Sequence, residues 1–528
     1  IKASQLPIDD SLTTIEFLTH TAQVAIGGKK GLHMVDVSKP DEPVLVASHS
    51  FGDPIVAMVK LSELLVVATK SSLMVINPQT GSILAEDSTL SSISSIAVQG
   101  NNIYAVKNQN QLLSLEFFDS ELSLLDSVGF PKATIRTKPA AKKVFVVNEV
   151  AYISNGLEIE NVPKFRERER GGFLTYNIAN PKKLRLISNI DTPPILSGNL
   201  ETVSDGSGIV LVAGGIAGVE VHDGKDTSKT YDLQATYDVE GRALSAQLAG
   251  SYGFVSTAAS QMLALNLLGP DLNGAEPDIE FDWDSLDQDV SLSGIQVEEG
   301  SILNILPLVK DDYQMKHVSL YTDNVLHAID AVPPYDFRIK APKFSKNKQQ
   351  LQLAVSATDT GLNVSKKHLS TLQITPDKTP PKVLNRSFGD RLVVLGEPTL
   401  LEIIFSESIA ANSLKKNFAS FIQEKSGKVR ALPKVTHRWD LDNSLLSISL
   451  PSLKKGTHQL SLELSSMKDD SGNRLQEDAQ TIDVISMRPT IEWISRQEDS
   501  WSDSNNWSTK RKPKANDIVA IDSRKLNK

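Results

Sequence analysis

Four aspartates near the middle of the chain have the residue type and spacing to bind calcium. Residues 271–289 contain eight acidic residues and no Lys or Arg. Within this acidic segment, clustered oxygens would come from Asp282, Asp284, Asp287 and Asp289. Calcium prefers carboxylate and carbonyl oxygens, so these residues are a candidate Ca²⁺ site. The ligand order and central Gly of an EF-hand loop are absent, and a solvated acidic linker is the alternative interpretation.

A second candidate site is a charged segment, residues 157–172, with the sequence LEIENVPKFRERERGG. Its binding residues would be Lys164, Phe165, Arg166, Arg168 and Arg170. Loops that project from a rigid scaffold commonly carry binding residues, so we predict contact with an acidic partner or a neighbouring domain. Because two glutamates alternate with these cations, a solvated hairpin that protects a sheet edge from aggregation is the alternative.

Other side chains with catalytic or metal-binding chemistry are scattered. The chain has no cysteine, which excludes disulfides, cysteine nucleophiles and thiolate metal sites. It also lacks the GxSxG, HExxH and P-loop motifs, and its nine histidines have no metal-ligand spacing. His33 and His222 lie on apolar strands, where a hydrogen-bonded structural histidine is expected. A pair of carboxylates for glycoside chemistry stays open, but no pair stands out. We therefore predict that the chain is not an enzyme and requires no cofactor, with calcium as the one candidate.

The first half of the chain repeats a strand pair six times. A short apolar strand, a turn and a second strand occur first as AQVAIGG-KK-GLHMVDV, from Ala22 to Val37. The first strands of the copies begin at residues 22, 64, 102, 150, 209 and 252. A period of about 40–45 residues without a helical pattern is typical of four-stranded propeller blades. This repeat predicts a six-bladed β-propeller over residues 1–290, or a seven-bladed one if another segment closes the ring.

The blades also resemble a known family. The pattern of an alternating strand, Asp/Asn-Val/Ile-x-x-Pro, a polar turn and an outer strand occurs as GLHMVDVSKPDEPVLVASHS and as NIANPKKLRLISNID. It resembles the LVIVD-repeat propellers of bacteria. In this interpretation residues 271–290 form an acidic exit linker.

Two further domains follow the repeat. Residues 291–376 contain short alternating strands with turns and the motif ATDTG, and they resemble a bacterial immunoglobulin-like (Ig-like) β-sandwich. Residues 377–486 contain FSESI, LKKGTHQLSLEL and DDSGN, and they resemble a second Ig-like family. In the last motif Asp469, Asp470, Ser471 and Asn473 have metal-loop residue types, but a tight turn with Gly472 at positive φ is the preferred interpretation.

The C-terminal segment, residues 487–528, holds three of the five Trp residues. Its pattern W-x-D-x-x-N-W-S followed by D-x-V-x-I-D resembles the first coil of right-handed β-solenoids in large exported bacterial proteins. We therefore expect the start of a further β-rich domain. Carbohydrate stacking on Trp501 and Trp507 is an alternative to packing against the second sandwich.

Composition and charge restrict the partners. Residues 1–290 hold 22 Lys and Arg against 36 Asp and Glu, a net charge of −14, which disfavours nucleic acid. No apolar stretch is long enough to span a bilayer, so no membrane insertion is expected in this segment. A cysteine-free, strand-rich chain favours export to the extracellular space or the cell surface.

The resemblances imply an all-β segment of a large bacterial surface protein. In such an adhesin-like segment the propeller would bind a protein or glycan surface, or other domains of the same protein, and the sandwiches would be spacers. The alternatives are an accessory part of a giant secreted toxin of the Rhs or polymorphic type and a propeller enzyme that acts on glycans.

Overall fold

The structure is a computed structural model of the whole chain. It describes residues 6–520 except for the following: 19–21, 40, 63, 109, 119–120, 132–139, 157–170, 193–200, 216–217, 225–230, 260, 268–272, 390, 395–398, 417, 423–428, 432–434, 441–442, 454–455, 477–479, 487, 489, 495–501, 515–516 and 518. The chain divides into two compact units, residues 1–47 with 53–375 and residues 376–528 with 48–52.

The first unit begins with six antiparallel sheets, or blades, that follow one another along the chain. Blade one contains β1 (Leu12–Leu18), β2 (Gln23–Gly28), β3 (Leu32–Asp36) and β4 (Val44–His49). Blade two contains β5 (Ile55–Leu61), β6 (Leu64–Thr69), β7 (Leu73–Ile76) and β8 (Ile83–Asp87). Blade three contains β9 (Ile93–Gln99), β10 (Asn102–Lys107), β11 (Gln111–Phe118) and β12 (Glu121–Gly129). Blade four contains β13 (Ala140–Val147), β14 (Val150–Gly156), β15 (Gly171–Asn177) and β16 (Arg185–Thr192). Blade five contains β17 (Glu201–Ser204), β18 (Ile209–Ala213), β19 (Val219–Asp223) and β20 (Asp232–Tyr237). Blade six contains β21 (Ala243–Ala249), β22 (Tyr252–Thr257) and β23 (Met262–Leu265).

The first strand of each blade packs against the first strand of the next, in the order β1, β5, β9, β13, β17 and β21. Side chains reinforce this succession. The N–H of Val144 donates to Ser95 Oγ at 3.1 Å, and the N–H of Ala246 donates to Glu201 Oε2 at 3.0 Å. Radially arranged meanders of this kind, four-stranded in blades one to five and three-stranded in blade six, form a β-propeller, as the repeat predicts. The predicted first strands of the repeat are β2, β6, β10, β14, β18 and β22, the second strand of each blade.

A β-sandwich completes the first unit. Its five-stranded sheet has the order β25-β32-β31-β28-β29, with β25 (Gln296–Glu298), β28 (Met315–Thr322), β29 (Val325–Asp330), β31 (Gln350–Asp359) and β32 (His368–Thr375). The opposing layer has two ribbons, which pair β24 (Asp278–Glu280) with β27 (Leu308–Lys310) and β26 (Ile302–Ile305) with β30 (Phe337–Lys340). Both layers contribute to one hydrophobic core.

The acidic segment belongs to this first sandwich and is not a linker. Strand β24 lies within it, and Ile279 and Trp283 are buried in the sandwich core. Trp283 begins a 3₁₀-helix, η1 (Trp283–Leu286), and stacks on His368 with ring centroids 5.8 Å apart. The sandwich therefore begins near residue 278, and the boundary predicted at residue 291 is too late.

The second unit contains a second β-sandwich. One sheet has the order β33-β35-β39-β38, with β33 (Val383–Arg386), β35 (Thr399–Phe405), β38 (Thr436–Asp440) and β39 (Leu445–Leu450). The other has the order β34-β41-β40-β36-β37, with β34 (Arg391–Val394), β36 (Ala419–Ile422), β37 (Val429–Ala431), β40 (Gly456–Leu462) and β41 (Gln480–Ser486). A short 3₁₀-helix, η2 (Ala411–Ser413), follows β35.

The C-terminal segment forms a separate small core. Strand β42 (Ile491–Glu492) pairs in parallel with β43 (Val519–Ala520), and a 3₁₀-helix, η3 (Ser504–Asn506), lies between them. Parallel pairing of strands 28 residues apart fits the expected β-rich coil.

Candidate functional site

The first sandwich packs against the turns that join the first two strands of the blades. At blade four, the N–H of Val309 donates to Asn148 Oδ1 at 3.2 Å, and Asn148 Nδ2 donates back to the carbonyl of Val309. At blade five, the N–H of Met315 donates to Asp205 Oδ2 at 3.0 Å. Backbone groups of the sandwich therefore hold it against the face of the propeller that carries these turns.

Blades three and six contribute to the same contact. The N–H of Gly250, in the blade-six turn, donates to the carbonyl of Ala331 at 2.8 Å. In blade three, a Cβ at Gly100 would lie 3.2 Å from Leu306 Cδ1, so the two chain segments approach closely. These contacts differ from the spacer role expected for this sandwich, because it forms one compact unit with the propeller.

Blade one exposes an apolar face. On β1, Thr14 faces blade two, because a Cβ at its partner Gly27 would meet Ile55 of that blade at 2.7 Å. Side chains alternate along a strand, so Ile15 and Phe17 point to the opposite face. They are 67% and 50% exposed. Large aliphatic and aromatic side chains in this arrangement are typical of a surface that another sheet covers.

Blade six exposes the corresponding face at the other end of the succession. A Cβ at Gly253 would lie 2.8 Å from Leu211 of blade five, so Tyr252 and Phe254 point away from that blade. Tyr252 is 49% exposed and Met262 is 76% exposed. Among the described strands, β21 does not pack against β1 as the other first strands pack against their successors. Within the described residues, the exposed faces of blades one and six therefore do not pack on each other through their first strands.

Two carboxylates lie on the first strands of the described blades. Glu201 Oε1 is 2.8 Å from Lys143 Nζ and is engaged in an ion pair. Burial raises the pKa of Glu16 to about 7, although the positive charge of Lys60 opposes this effect. Glu16 is therefore a group that can exchange a proton near neutral pH, and the sequence did not single it out.

The two histidines singled out in the sequence are held by carboxylates, as expected. His33 Nε2 lies 2.9 Å from Asp10 Oδ2, and His222 Nε2 lies 3.0 Å from Glu220 Oε2. All four side chains are nearly inaccessible to solvent. Both pairs therefore stabilise the blades from within.

The structure does not bring the four predicted calcium ligands together. Asp282 Oδ1 accepts the N–H of Asp284, Asp287 Oδ1 accepts that of Asp289, and Asp289 Oδ1 accepts that of Ser291. Each of these three side chains thus stabilises its own turn, a common use of aspartate. Within the described part of the chain, no three of the four place carboxylate oxygens within 4.8 Å of one another. The calcium prediction at these residues has no geometric support.

A different cluster of three acidic side chains lies in the second sandwich. Ligand oxygens of Asp377, Glu407 and Asp469 lie within 4.8 Å of one another. Asp469 is buried, and its Oδ1 accepts the N–H groups of Gly472 and Asn473 at 2.6 and 2.8 Å. Gly472 has φ +100°, so the preferred turn interpretation of this motif is confirmed. The two other carboxylates come from distant parts of the sequence.

The remaining predicted sites have separate outcomes. The cationic residues Lys164, Arg166, Arg168 and Arg170 lie outside the described residues, and so do Phe165 and Trp501. Trp507 is fully buried and packs edge-to-face against Trp493, with ring centroids 4.9 Å apart. Carbohydrate stacking on Trp507 is therefore wrong. Its packing partners are Trp493, Ile491 and Val519 of the same segment.

Sequence reasoning missed the residues that join the sandwich to the propeller. Asn148 and Glu149 both have positive φ, and this turn was visible only as a short break between two strands. Asp311 and Asp312 are typical turn residues in the sequence, but the position of this turn against a blade depends on the tertiary packing. No local pattern marks either feature.

Comparison with known proteins gives fold similarity only. No protein-family model and no curated protein matches the chain. Among solved structures, BamB from Moraxella catarrhalis is 11% identical over 50% of this chain and 87% of that chain, with a TM-score of 0.34. The WD40 repeats of RRP9 are 10% identical over 48% of this chain and 88% of that chain, with a TM-score of 0.31. Fibronectin(III)-like modules of CbhA from Clostridium thermocellum are 15% identical over 19% of this chain and 100% of that chain, with a TM-score of 0.15. At these values the similarities carry no argument about function. Within the described residues, no helix combines the length and apolar character needed to cross a membrane.

Proposed function

We propose that this chain is a non-catalytic binding and scaffolding segment of a large exported bacterial protein. The propeller and its first sandwich form a docking head, and the second sandwich is a spacer. The LVIVD-like repeat and the two Ig-like sequence patterns support this proposal by resemblance. The observation that carries it is the pair of uncovered apolar faces on blades one and six.

These faces favour a β-sheet as the docking partner. In arrays of stacked repeats, the terminal repeats normally present polar outer faces, because an apolar one reduces solubility. Ile15, Phe17, Tyr252 and Met262 do the opposite. The exposed face of blade one and that of blade six both resemble the apolar faces that neighbouring blades bury between them. A seventh blade, contributed by another region of the same large protein, would cover both faces and close the ring.

A supplied seventh blade tests this proposal. A copy of blade two, residues 55–87, fused ahead of residue 6 is expected to raise the melting temperature of the first unit and to reduce binding of a hydrophobic dye. Burying two large apolar side chains contributes roughly 3–6 kcal/mol, so the stabilisation should be measurable by calorimetry. The same copy fused after residue 528 is the matched control and should change neither value.

The same fusion in an Ile15→Glu, Phe17→Glu background should lose the stabilisation, because charges would face the added sheet. Val325→Glu, at an equally exposed position of the first sandwich, should retain it. If the N-terminal fusion leaves both the melting temperature and dye binding unchanged, the proposal is contradicted.

A further inference from the structure

Three aspartates meet where the first sandwich contacts the propeller: two are buried residues, and the third has buried carboxylate oxygens. Asp205, in the β17–β18 turn of blade five, is 2% exposed, and Asp359, at the end of β31, is fully buried. Both are hydrogen-bonded: Asp205 accepts from Ser207 and Met315, and Asp359 accepts from Asn363.

The third aspartate, Asp311, follows β27 and differs from the other two. Each of its carboxylate oxygens exposes less than 1 Å², and neither has a hydrogen bond of good geometry. The N–H of Asp312, in the same turn, is the one donor that acts on this carboxylate among the described residues. The charged groups that act on it are Asp359, Asp312 and Asp205, and all three are acids. They come from every side of the contact: from β31, from its own turn and from blade five. An ionised carboxylate in this position lacks both hydration and a positive charge, so its charged form is strongly disfavoured.

We propose that Asp311 makes the docking of the first sandwich on the propeller dependent on pH: the contact is closed while this carboxyl is protonated and loosens when it ionises. The position of Asp311 supports this. It lies between Val309 and Met315, whose N–H groups donate to Asn148 and Asp205 of the propeller. A charge that develops here repels Asp205 across the contact.

The direction of the effect follows from the pKa values. Burial, together with the negative charge of Asp359, raises the pKa of Asp311 to about 7, and burial raises the pKa of Asp205 to about 6. Both lie above the value of about 3.9 for an unfolded aspartate. The stabilising contribution is therefore fully present below about pH 4 and is lost as the pH rises through about 7. The contact should be tighter at pH 5 than at pH 8.

Tyr152 and Tyr335 also face Asp205, but they do not titrate in this window. Burial raises the pKa of each hydroxyl above its ordinary value near 10. Asp205 differs from Asp311 because donors from Ser207 and Met315 stabilise its ionised form. Asp311 has only the N–H of Asp312 in its own turn, and its pKa is the higher of the two, so it dominates the response between pH 6 and pH 8.

Hydrogen exchange of the full chain tests the proposal. Exchange rates of peptides that contain the Val309 and Met315 amides are measured from pH 5 to pH 8 and divided by the intrinsic rates. When the carboxyl has a pKa one unit higher in the closed contact than in the open one, its titration changes the opening equilibrium tenfold. Protection should therefore fall at least about tenfold across this range. Asp311→Asn, which resembles the protonated form, should lose most of the fall above pH 6 and keep only the smaller change that Asp205 causes near pH 6.

Two further variants keep the test decisive. Asp278→Asn removes an exposed acid from the strand beside β27 and should keep the wild-type profile. Asp312→Asn removes one charge that acts on Asp311, so the midpoint should move to lower pH. A purely structural role of Asp311 would not change the midpoint in this way. The Asp312→Asn measurement therefore tests the proposal even if Asp311→Asn fails to fold. Constant wild-type protection from pH 5 to pH 8, or an undiminished fall in folded Asp311→Asn, would overturn the proposal.

Discussion

Trp507→Ala is expected to unfold the C-terminal segment while the second sandwich stays folded. Trp507 is fully buried, and the core around it consists only of Ile491, Trp493 and Val519 among the described residues. Truncating a buried tryptophan to alanine typically costs about 3–5 kcal/mol, because apolar contacts are lost and a cavity remains. A core of four side chains has little stability beyond that amount.

The measurement is near-ultraviolet circular dichroism together with hydrogen exchange of residues 491–494 and 502–514. The edge-to-face pair of Trp493 and Trp507 should give a coupled signal that disappears in Trp507→Ala. Trp507→Phe, the matched control, should retain most of the protection. Unchanged exchange in Trp507→Ala would contradict the independent core.

Asn148→Gly is expected to release the first sandwich from blade four. The side chain of Asn148 accepts from the N–H of Val309 and donates to the carbonyls of Val309 and Gly206. Its loss leaves buried backbone groups of Val309 without partners, at about 1–3 kcal/mol for each. Glycine is the right replacement because Asn148 has φ +51°, where alanine would add strain.

The readout is the free energy of local opening at Val309, measured by hydrogen exchange at pH 5, where docking is tightest. We expect a loss of about 2–6 kcal/mol, since two backbone groups lose their partners. Asn189→Ala, an exposed asparagine on the outer strand of the same blade, should leave it unchanged. Equal protection in Asn148→Gly and wild type would show that this side chain does not hold the contact.

The parts of the fold that sequence reasoning found are those with a local pattern. Strands β6 and β18 are almost continuously apolar and buried, so their type and position follow from a few adjacent residues. The repeat then indicates the blades, because the same pattern returns six times at intervals of 38 to 59 residues.

The acidic segment shows where composition misleads. Eight acids within 271–289 conceal Ile279 and Trp283, two core residues of the first sandwich. The acids among the described residues are exposed or turn-forming, whereas the two apolar side chains pack in the core of the sandwich. A segment average gives the more numerous charged residues more weight than the two that are buried.

The candidate site depends on tertiary packing. Asp205 and Asp311 are ordinary turn aspartates in the sequence, but in the folded protein Asp205 is buried and the carboxylate oxygens of Asp311 are shielded from water. The apolar face of β1 likewise has the same pattern as a buried face, because alternation reports which side is apolar and not whether it is covered. Neither property is encoded locally.

The most direct test of the account is whether the first sandwich is docked on the propeller in solution. The chain has no cysteine, so cysteines introduced at Gly100 and Leu306 would be the only thiols. Gly100 has φ +61°, so the cysteine there adds about 1–2 kcal/mol of strain within a single turn. A Cβ at Gly100 lies 3.2 Å from the Leu306 side chain, within reach of a short bis-maleimide. A pair at Lys143 and Glu201, on adjacent blades, controls for the chemistry. The account predicts one dominant cross-linked peptide joining residues 100 and 306; efficient linkage of the control pair without this product would contradict it.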